Sequence, residues 1–140
     1  MIDRLKEQII LHEGIRLKPY NDTKGKLTIG VGHNLTDNGI PFEISEKLLE
    51  GDLIIAVLDL KRALPWFEKL DEIRQRVLID MCFNLGINGL LKFVKTLKSI
   101  EEGEYKFASL QMLQSLWAQQ VGKRAIRLAE MMETGKDYDN

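Results

Sequence analysis

The chain has 140 residues, 44% of them hydrophobic and 29% charged, with a formal net charge of −1. That length suits one domain able to bury a core without staples, and the near-neutral charge argues against bulk attraction to nucleic acid. The apolar runs are too short to cross a bilayer, and the charged start MIDRLKEQII lacks the apolar region and cleavage site of a signal peptide. Cys82 is the single cysteine, so no internal disulfide exists. That suits a reducing cytoplasm and a buried, inert thiol. Lys123, Arg124 and Arg127 form a local cationic group, the only source of electrostatic steering the charge pattern offers.

Taken in chain order, residues 3–12 read as a helix. Asp3 is placed to cap it, Leu5, Ile9 and His12 share one face with Ile10 beside them, and Gly14 stops it. Residues 15–35 hold three short β-prone runs, separated by Asn21–Gly25 and by Gly30 and Gly32. They predict a small antiparallel sheet. Asp37, Asn38, Gly39 and Pro41 predict a turn. A long helix over 43–64 ends at Pro65. Asp71 caps a helix over 72–85 that Gly86 ends, and Asn88-Gly89 breaks the chain again. Helices over 90–102, 104–115 and 122–133 complete the chain. The fold class is α+β, mainly α: a single domain over 1–140 with a small antiparallel β lobe (14–35) and a larger helical part (1–13 and 42–135). Ligands commonly bind between such lobes.

The segment HEGIRLKPYNDTKGKLTIGVGHNL, residues 12–35, concentrates the chemistry. Glu13 closes a helix, Asp22 lies on a turn, and Thr28 lies on the following strand. Two carboxylates on different elements with a hydroxyl nearby are what glycoside hydrolysis requires. Each residue also has a plain structural role. A helix-end carboxylate beside Gly is usually solvated, N-D-T-K-G is turn chemistry, and Thr is a natural strand residue. Gly30 and Gly32 do not make a dinucleotide fingerprint, because Leu35 stands at the third glycine position. A calcium loop with Gly25 sixth would place Tyr20 first and Lys24 fifth, which are not acidic ligands. His12, His33 and Cys82 lack zinc spacing, and His33 reads as a structural hydrogen-bonder. No metal or cofactor is expected. Trp117 reads as core, while Ile54, Ile55, Leu110 and Leu116 fall at surface positions. Those four mark either a contact patch or the altered surface of an artificial sequence.

The pattern x-E-G, L-x-x-Y-x-D-x-x-G, T-I-G-x-G-H is complete in Glu13-Gly14, Leu17, Tyr20, Asp22, Gly25, Thr28-Ile29-Gly30 and Gly32-His33. It resembles the active-site region of the phage-type lysozymes, the endolysin family. The likeness continues through RQRVLIDMCFNLGINGLLKF (74–93) and LWAQQVGKRAIRLAEMMETG (116–135), nearly the whole chain. The resemblance implies a lysozyme-like fold with its active-site cleft between the lobes. It implies a muramidase that cleaves the β-1,4 bond between N-acetylmuramic acid and N-acetylglucosamine with inversion. Glu13 would be the general acid, its pKa raised by desolvation beneath the cleft. Asp22 would be the second catalytic carboxylate, and Thr28 would position the attacking water. Arg124 would pair with the catalytic glutamate across the cleft, opposing that rise. Phe83, Thr96 and Gln111 would line the saccharide cleft, and His33 would support the site. Leu116 stands where relatives often carry a basic residue.

The implied partner is the glycan of bacterial peptidoglycan, with no nucleic acid and no membrane insertion. The implied enzyme is a monomer in the host cytoplasm that reaches the wall after membrane permeabilisation. Two other classes stay open: an inactive saccharide-binding module of the same fold, and a helical interaction protein using its apolar surface. Glu13, Asp22 and Thr28 together favour the enzyme, since a pure binder has no chemical need for all three.

Overall fold

The first helix, α1, runs over Ile2–Glu13 in the computed structural model, which describes residues 1–139. Met1 is its N-cap and no side chain caps it. The helix starts one residue earlier than the sequence suggests, so Asp3 falls inside the first turn. There its charge complements the positive end of the helix dipole instead of capping an amide. Gly14 terminates the helix at φ 74°, its N–H bonding the Ile10 carbonyl at 2.7 Å.

The chain divides into two compact units, Met1–Leu48 and Leu49 onward. The first unit holds α1 and a three-stranded antiparallel sheet in the order β1-β2-β3: β1 Arg16–Asn21, β2 Leu27–Gly30, β3 His33–Asn34. Tyr20 pairs with Thr28, Thr28 with Asn34, and Ile29 with His33. The turn expected at 37–41 is preceded by a short helix, α2 Leu35–Asn38. Asn34 caps it by accepting from the Asp37 N–H at 3.0 Å, chemistry that an Asn-rich segment supports as readily as a turn. The next helix, α3 Phe42–Ala63, begins in the first unit and stops short of Pro65, as expected.

In the second unit a 3-10 turn at Phe67–Lys69 precedes α4 Glu72–Leu91. Asp71 caps α4, accepting from the Arg74 N–H at 3.1 Å. Gly86 leaves helical geometry at φ 73° and ψ 162°, where the sequence predicts an end, but helical turns then resume to Leu91. Asn88-Gly89 is therefore no break. A Cβ on Gly89 would lie 3.0 Å from the Leu85 Cβ, so this glycine permits a close approach within the helix. The following helices are α5 Val94–Glu101, α6 Tyr105–Leu113, α7 Leu116–Val121 and α8 Lys123–Thr134. The sequence pattern leaves α7 as a connection; Ser115 starts it, its Oγ accepting from the Ala118 N–H at 3.1 Å.

The core of the second unit follows from helical spacing. Ala125, Leu128, Ala129 and Met132 recur on α8 at the i, i+3, i+4, i+7 positions and are all buried. α8 packs on α6, where Ala108 and Met112 are buried, and on α4, where Val77, Leu78 and Met81 are. Trp117 is core, as expected. Its Nε1 donates to the Asn84 Oδ1 at 2.7 Å and its ring meets Phe93 edge-on. Cys82 is a buried thiol whose pKa is pushed up by burial and by nearby Asp59, which fits the inert role read from sequence. Ile54, Ile55, Leu110 and Leu116 are exposed.

Two arginines fasten the end of the chain. Arg74 donates to the Met132 and Glu133 carbonyls at 2.7 and 2.9 Å, capping the C-terminal turn of α8, and stacks on Tyr105. Arg76 grips Asp137 through both oxygens at 2.8 and 3.0 Å. That bond holds the Asp137 carboxyl below the usual aspartate range. A depressed carboxyl stabilises the folded form fully above the ordinary value of about 3.9 and loses that contribution as pH falls through the folded pKa. The Tyr138 ring, 5.0 Å from the Arg127 guanidinium carbon, should report the release. In an NMR acid titration its resonances are expected to hold until the pH drops below the ordinary aspartate range. Asp137→Asn should abolish that step; a step that persists in the variant would assign it to another group.

Candidate functional site

The candidate catalytic residues come from three places in the first unit: the end of α1, the β1–β2 turn and β2. Glu13 is the last residue of α1, held there because Gly14 turns the chain out of the helix. Its side chain is exposed. Its carboxyl lies against the backbone of Gly32. A Cβ built on Gly32 would sit 3.0 Å from the Glu13 Oε2 and 3.2 Å from its Cδ. The sequence suggests only a tight turn at Gly32. The structure adds that a side chain here meets the acid.

Asp22 occupies the β1–β2 turn, half-buried. Its Oδ1 accepts from the Lys24 and Lys26 amides, both at 2.8 Å, and its own N–H bonds the Lys26 carbonyl at 2.9 Å. The turn role and a fixed carboxylate orientation are thus the same feature, and Oδ2 carries none of these bonds. Thr28 on β2 is buried, at 4% exposure, and its hydroxyl donates to the Lys26 carbonyl at 2.9 Å. With its proton so engaged, the oxygen faces any further partner as an acceptor. His33 is a structural hydrogen-bonder, as expected: its Nε2 contacts the Gly39 carbonyl at 2.6 Å and ties β3 to the end of α2.

The other expected residues lie in the second unit. Thr96 and Gln111 line one depression of about 760 Å³, within the range of small-ligand sites. The Gln111 Oε1 accepts from Ser99 at 3.1 Å, which leaves its amide N–H groups to donate. Phe83 does not join them; it lines a separate depression of about 250 Å³ with Cys82, Asp52 and Asp59. The carboxylate on Arg124 is Asp80, with nitrogens 2.7 and 2.8 Å from its Oδ1 and a further bond to the Asp80 carbonyl at 3.3 Å. The packing of α4 on α8 brings these two side chains together, a partnership between residues 44 apart that spacing does not signal. Among the described residues, no three His, Cys, Asp or Glu side chains converge as metal ligands, and no single helix is long and apolar enough to cross a membrane.

Residues 11–131 match the phage lysozyme family. The chain is 30% identical to the probable T4-type lysozyme 2 of Dictyostelium discoideum over 99% of both chains, and to the probable T4-type lysozyme 1 of that organism over 96% of both. It is also 30% identical to the pre-baseplate central spike protein Gp5 of Enterobacteria phage T4, over 94% of this chain and 28% of that protein. The α+β fold and these matches define a lysozyme-type glycosidase. The chain belongs to the phage lysozyme family. The alignment with the first relative spans 169 positions, more than the 140 residues here, so that relative carries segments this chain lacks.

Proposed function

We propose that the protein is a muramidase that hydrolyses the β-1,4 bond between N-acetylmuramic acid and N-acetylglucosamine in bacterial peptidoglycan, as a monomer and as one catalytic domain. Glu13 donates a proton to the glycosidic oxygen as it leaves. As an anion, Asp22 stabilises positive charge developing on the sugar ring. Thr28 orients water on the opposite face, so the reaction inverts the anomeric centre. No metal or cofactor takes part.

The observation that carries this reading is the contact between the Glu13 carboxyl and Gly32, in the unit that also carries Asp22 and Thr28. Further support comes from the hydrogen bonds. The two amides on the Asp22 Oδ1 fix a negative charge in place and leave the second oxygen for substrate. The Thr28 hydroxyl, donating to Lys26, is an acceptor for a water hydrogen and so points that water's lone pair away from itself. Gln111 and Thr96 hold the glycan, with the Gln111 amide donating to sugar hydroxyl or acetamido oxygens. Phe83 offers an exposed ring for packing on a sugar face. His33 supports the site through its bond to Gly39, and Arg124, whose guanidinium Asp80 holds, is the second supporting residue.

Purified protein should clear a peptidoglycan suspension. Asp22→Asn should lower the rate on the order of 100-fold, the usual cost of losing a fixed electrostatic stabiliser. Asn keeps an oxygen for the same two amides, so the turn and the melting temperature should survive. A near-parental rate in this variant would remove Asp22 from the chemistry.

A further inference from the structure

The pairing of β2 with β3 runs from Ile29 and His33 to Thr28 and Asn34 and stops where α2 begins. The N–H of Leu27, the next residue outward on β2, is taken by a side chain: the Thr36 Oγ1 accepts it at 2.7 Å. A hydroxyl on α2 thus stands where a longer β3 would supply a carbonyl. Leu27 is exposed, so water alone would satisfy that N–H. A side chain held by a helix does what water does not, and fixes the peptide in one orientation.

That peptide is the one that holds the Thr28 hydroxyl. The Lys26 carbonyl and the Leu27 N–H are the two ends of a single planar group. The carbonyl accepts the Thr28 hydroxyl and the Asp22 N–H, both at 2.9 Å. Any rotation of the plane moves carbonyl and N–H together, so Thr36 limits the rotation from outside the hairpin. Its bond to the N–H also polarises the carbonyl and strengthens the grip on Thr28. Thr36 is itself held by the cap of α2. The Asn34 Oδ1 accepts from the Asp37 N–H at 3.0 Å, and its Nδ2 donates to the Asp37 Oδ2 at 2.9 Å. The Lys26–Asp37 ion pair, at 3.0 Å, adds little, because both side chains are well exposed.

We propose that Thr36 is a positioning residue: through the Lys26–Leu27 peptide it keeps the Thr28 hydroxyl proton engaged, so that the hydroxyl oxygen meets the attacking water only as an acceptor. The proposal rests on the water-orienting role of Thr28. If the carbonyl tilts away, the Thr28 proton is released and donates to the water's lone pair, the same pair that must attack the sugar. Thr36 touches neither substrate nor water, and its effect passes through Thr28.

The test compares Thr36→Val, which keeps the shape and loses the acceptor, with Thr36→Ser, which keeps the hydroxyl. Thr36→Ala repeats the loss with a residue that favours a helix. Asp37→Asn is the control that removes the Lys26 ion pair and leaves the Thr36 hydroxyl in place. On a soluble peptidoglycan fragment, Thr36→Val and Thr36→Ala should lower kcat about three- to tenfold, a fraction of the cost of displacing a reacting group by a full ångström. KM should stay within about twofold, since binding is untouched. Thr36→Ser and Asp37→Asn should follow the parent in both constants. In a Thr28→Val background, Thr36→Val should cost nothing more. NMR reads the geometry without catalysis: the Lys26 carbonyl carbon and the Thr28 methyl resonances should shift in Thr36→Val and hold in Thr36→Ser. Unchanged kcat or unshifted resonances in Thr36→Val, an equal loss in Thr36→Ser, or a full further loss in the Thr28→Val background each overturns the proposal. A parent whose resonances respond as expected but that hydrolyses nothing contradicts the muramidase reading alone.

Discussion

Glu13→Gln is expected to keep the fold and to slow peptidoglycan hydrolysis by about 100- to 10,000-fold, the usual range for loss of a general acid. The amide matches the carboxyl in size and cannot donate the proton. Nothing in the first unit's folding depends on that proton: α1 is ended by Gly14, and the contact with Gly32 is one of shape. The melting temperature should therefore stay within a degree or two of the parent, while binding to the polymer is retained. Clearing of a wall suspension, with thermal unfolding measured on the same sample, separates these effects. Near-parental clearing by the variant would take Glu13 out of the site and most of the mechanism with it.

The second large effect is expected at Gly32, and Gly30 supplies its control. Both glycines adopt positive φ, 63° and 68°. Alanine at either position costs about 1–2 kcal/mol for the left-handed conformation. Their surroundings differ. A Cβ on Gly30 meets nothing within 4 Å, whereas one on Gly32 meets the Glu13 Oε2 at 3.0 Å. Gly32→Ala must push the acid aside by a few tenths of an ångström or more, and misplacement of a reacting group by about 1 Å can cost on the order of 100-fold in rate. The two alanine variants should thus melt at similar temperatures, yet only Gly32→Ala should lose most of its kcat. Equal kcat in the two would show that the contact with Glu13 has no part in catalysis.

What is legible in the sequence is local. Gly14, Pro65 and Asp71 each act within a turn of where they stand, and the helix ends and cap read from them are the ones observed. The three strands of 15–35 follow from β-prone runs between glycines. Glu13, Asp22 and Thr28 stand out chiefly because they fall on the motif of the resemblance, two carboxylates and a hydroxyl on different elements.

The misses depend on contacts distant in sequence, or on a local signal with two outcomes. Gly89 resembles a helix breaker until the Leu85 side chain beside it is seen. The short helix α7 hides in an apolar run whose only start signal is Ser115. Asp80 becomes the partner of Arg124 only through the packing of α4 on α8. The orientation of Asp22 is a similar case: N-D-T-K-G announces a turn, but not which oxygen the turn occupies.

The proposed reaction is an inverting, acid-catalysed cleavage on the muramic acid side of the linkage. Its sharpest test is proton NMR of a soluble peptidoglycan fragment during the first minutes of digestion, before the new reducing ends mutarotate. One spectrum reports which sugar carries the new reducing end and which anomer forms first. The expected product is N-acetylmuramic acid as the α-anomer, from water delivered opposite Glu13 to a β-linked substrate. N-acetylglucosamine at the new end would contradict the bond assignment. The β-anomer appearing first would contradict the role of Thr28 and make Asp22 the candidate nucleophile of a double displacement.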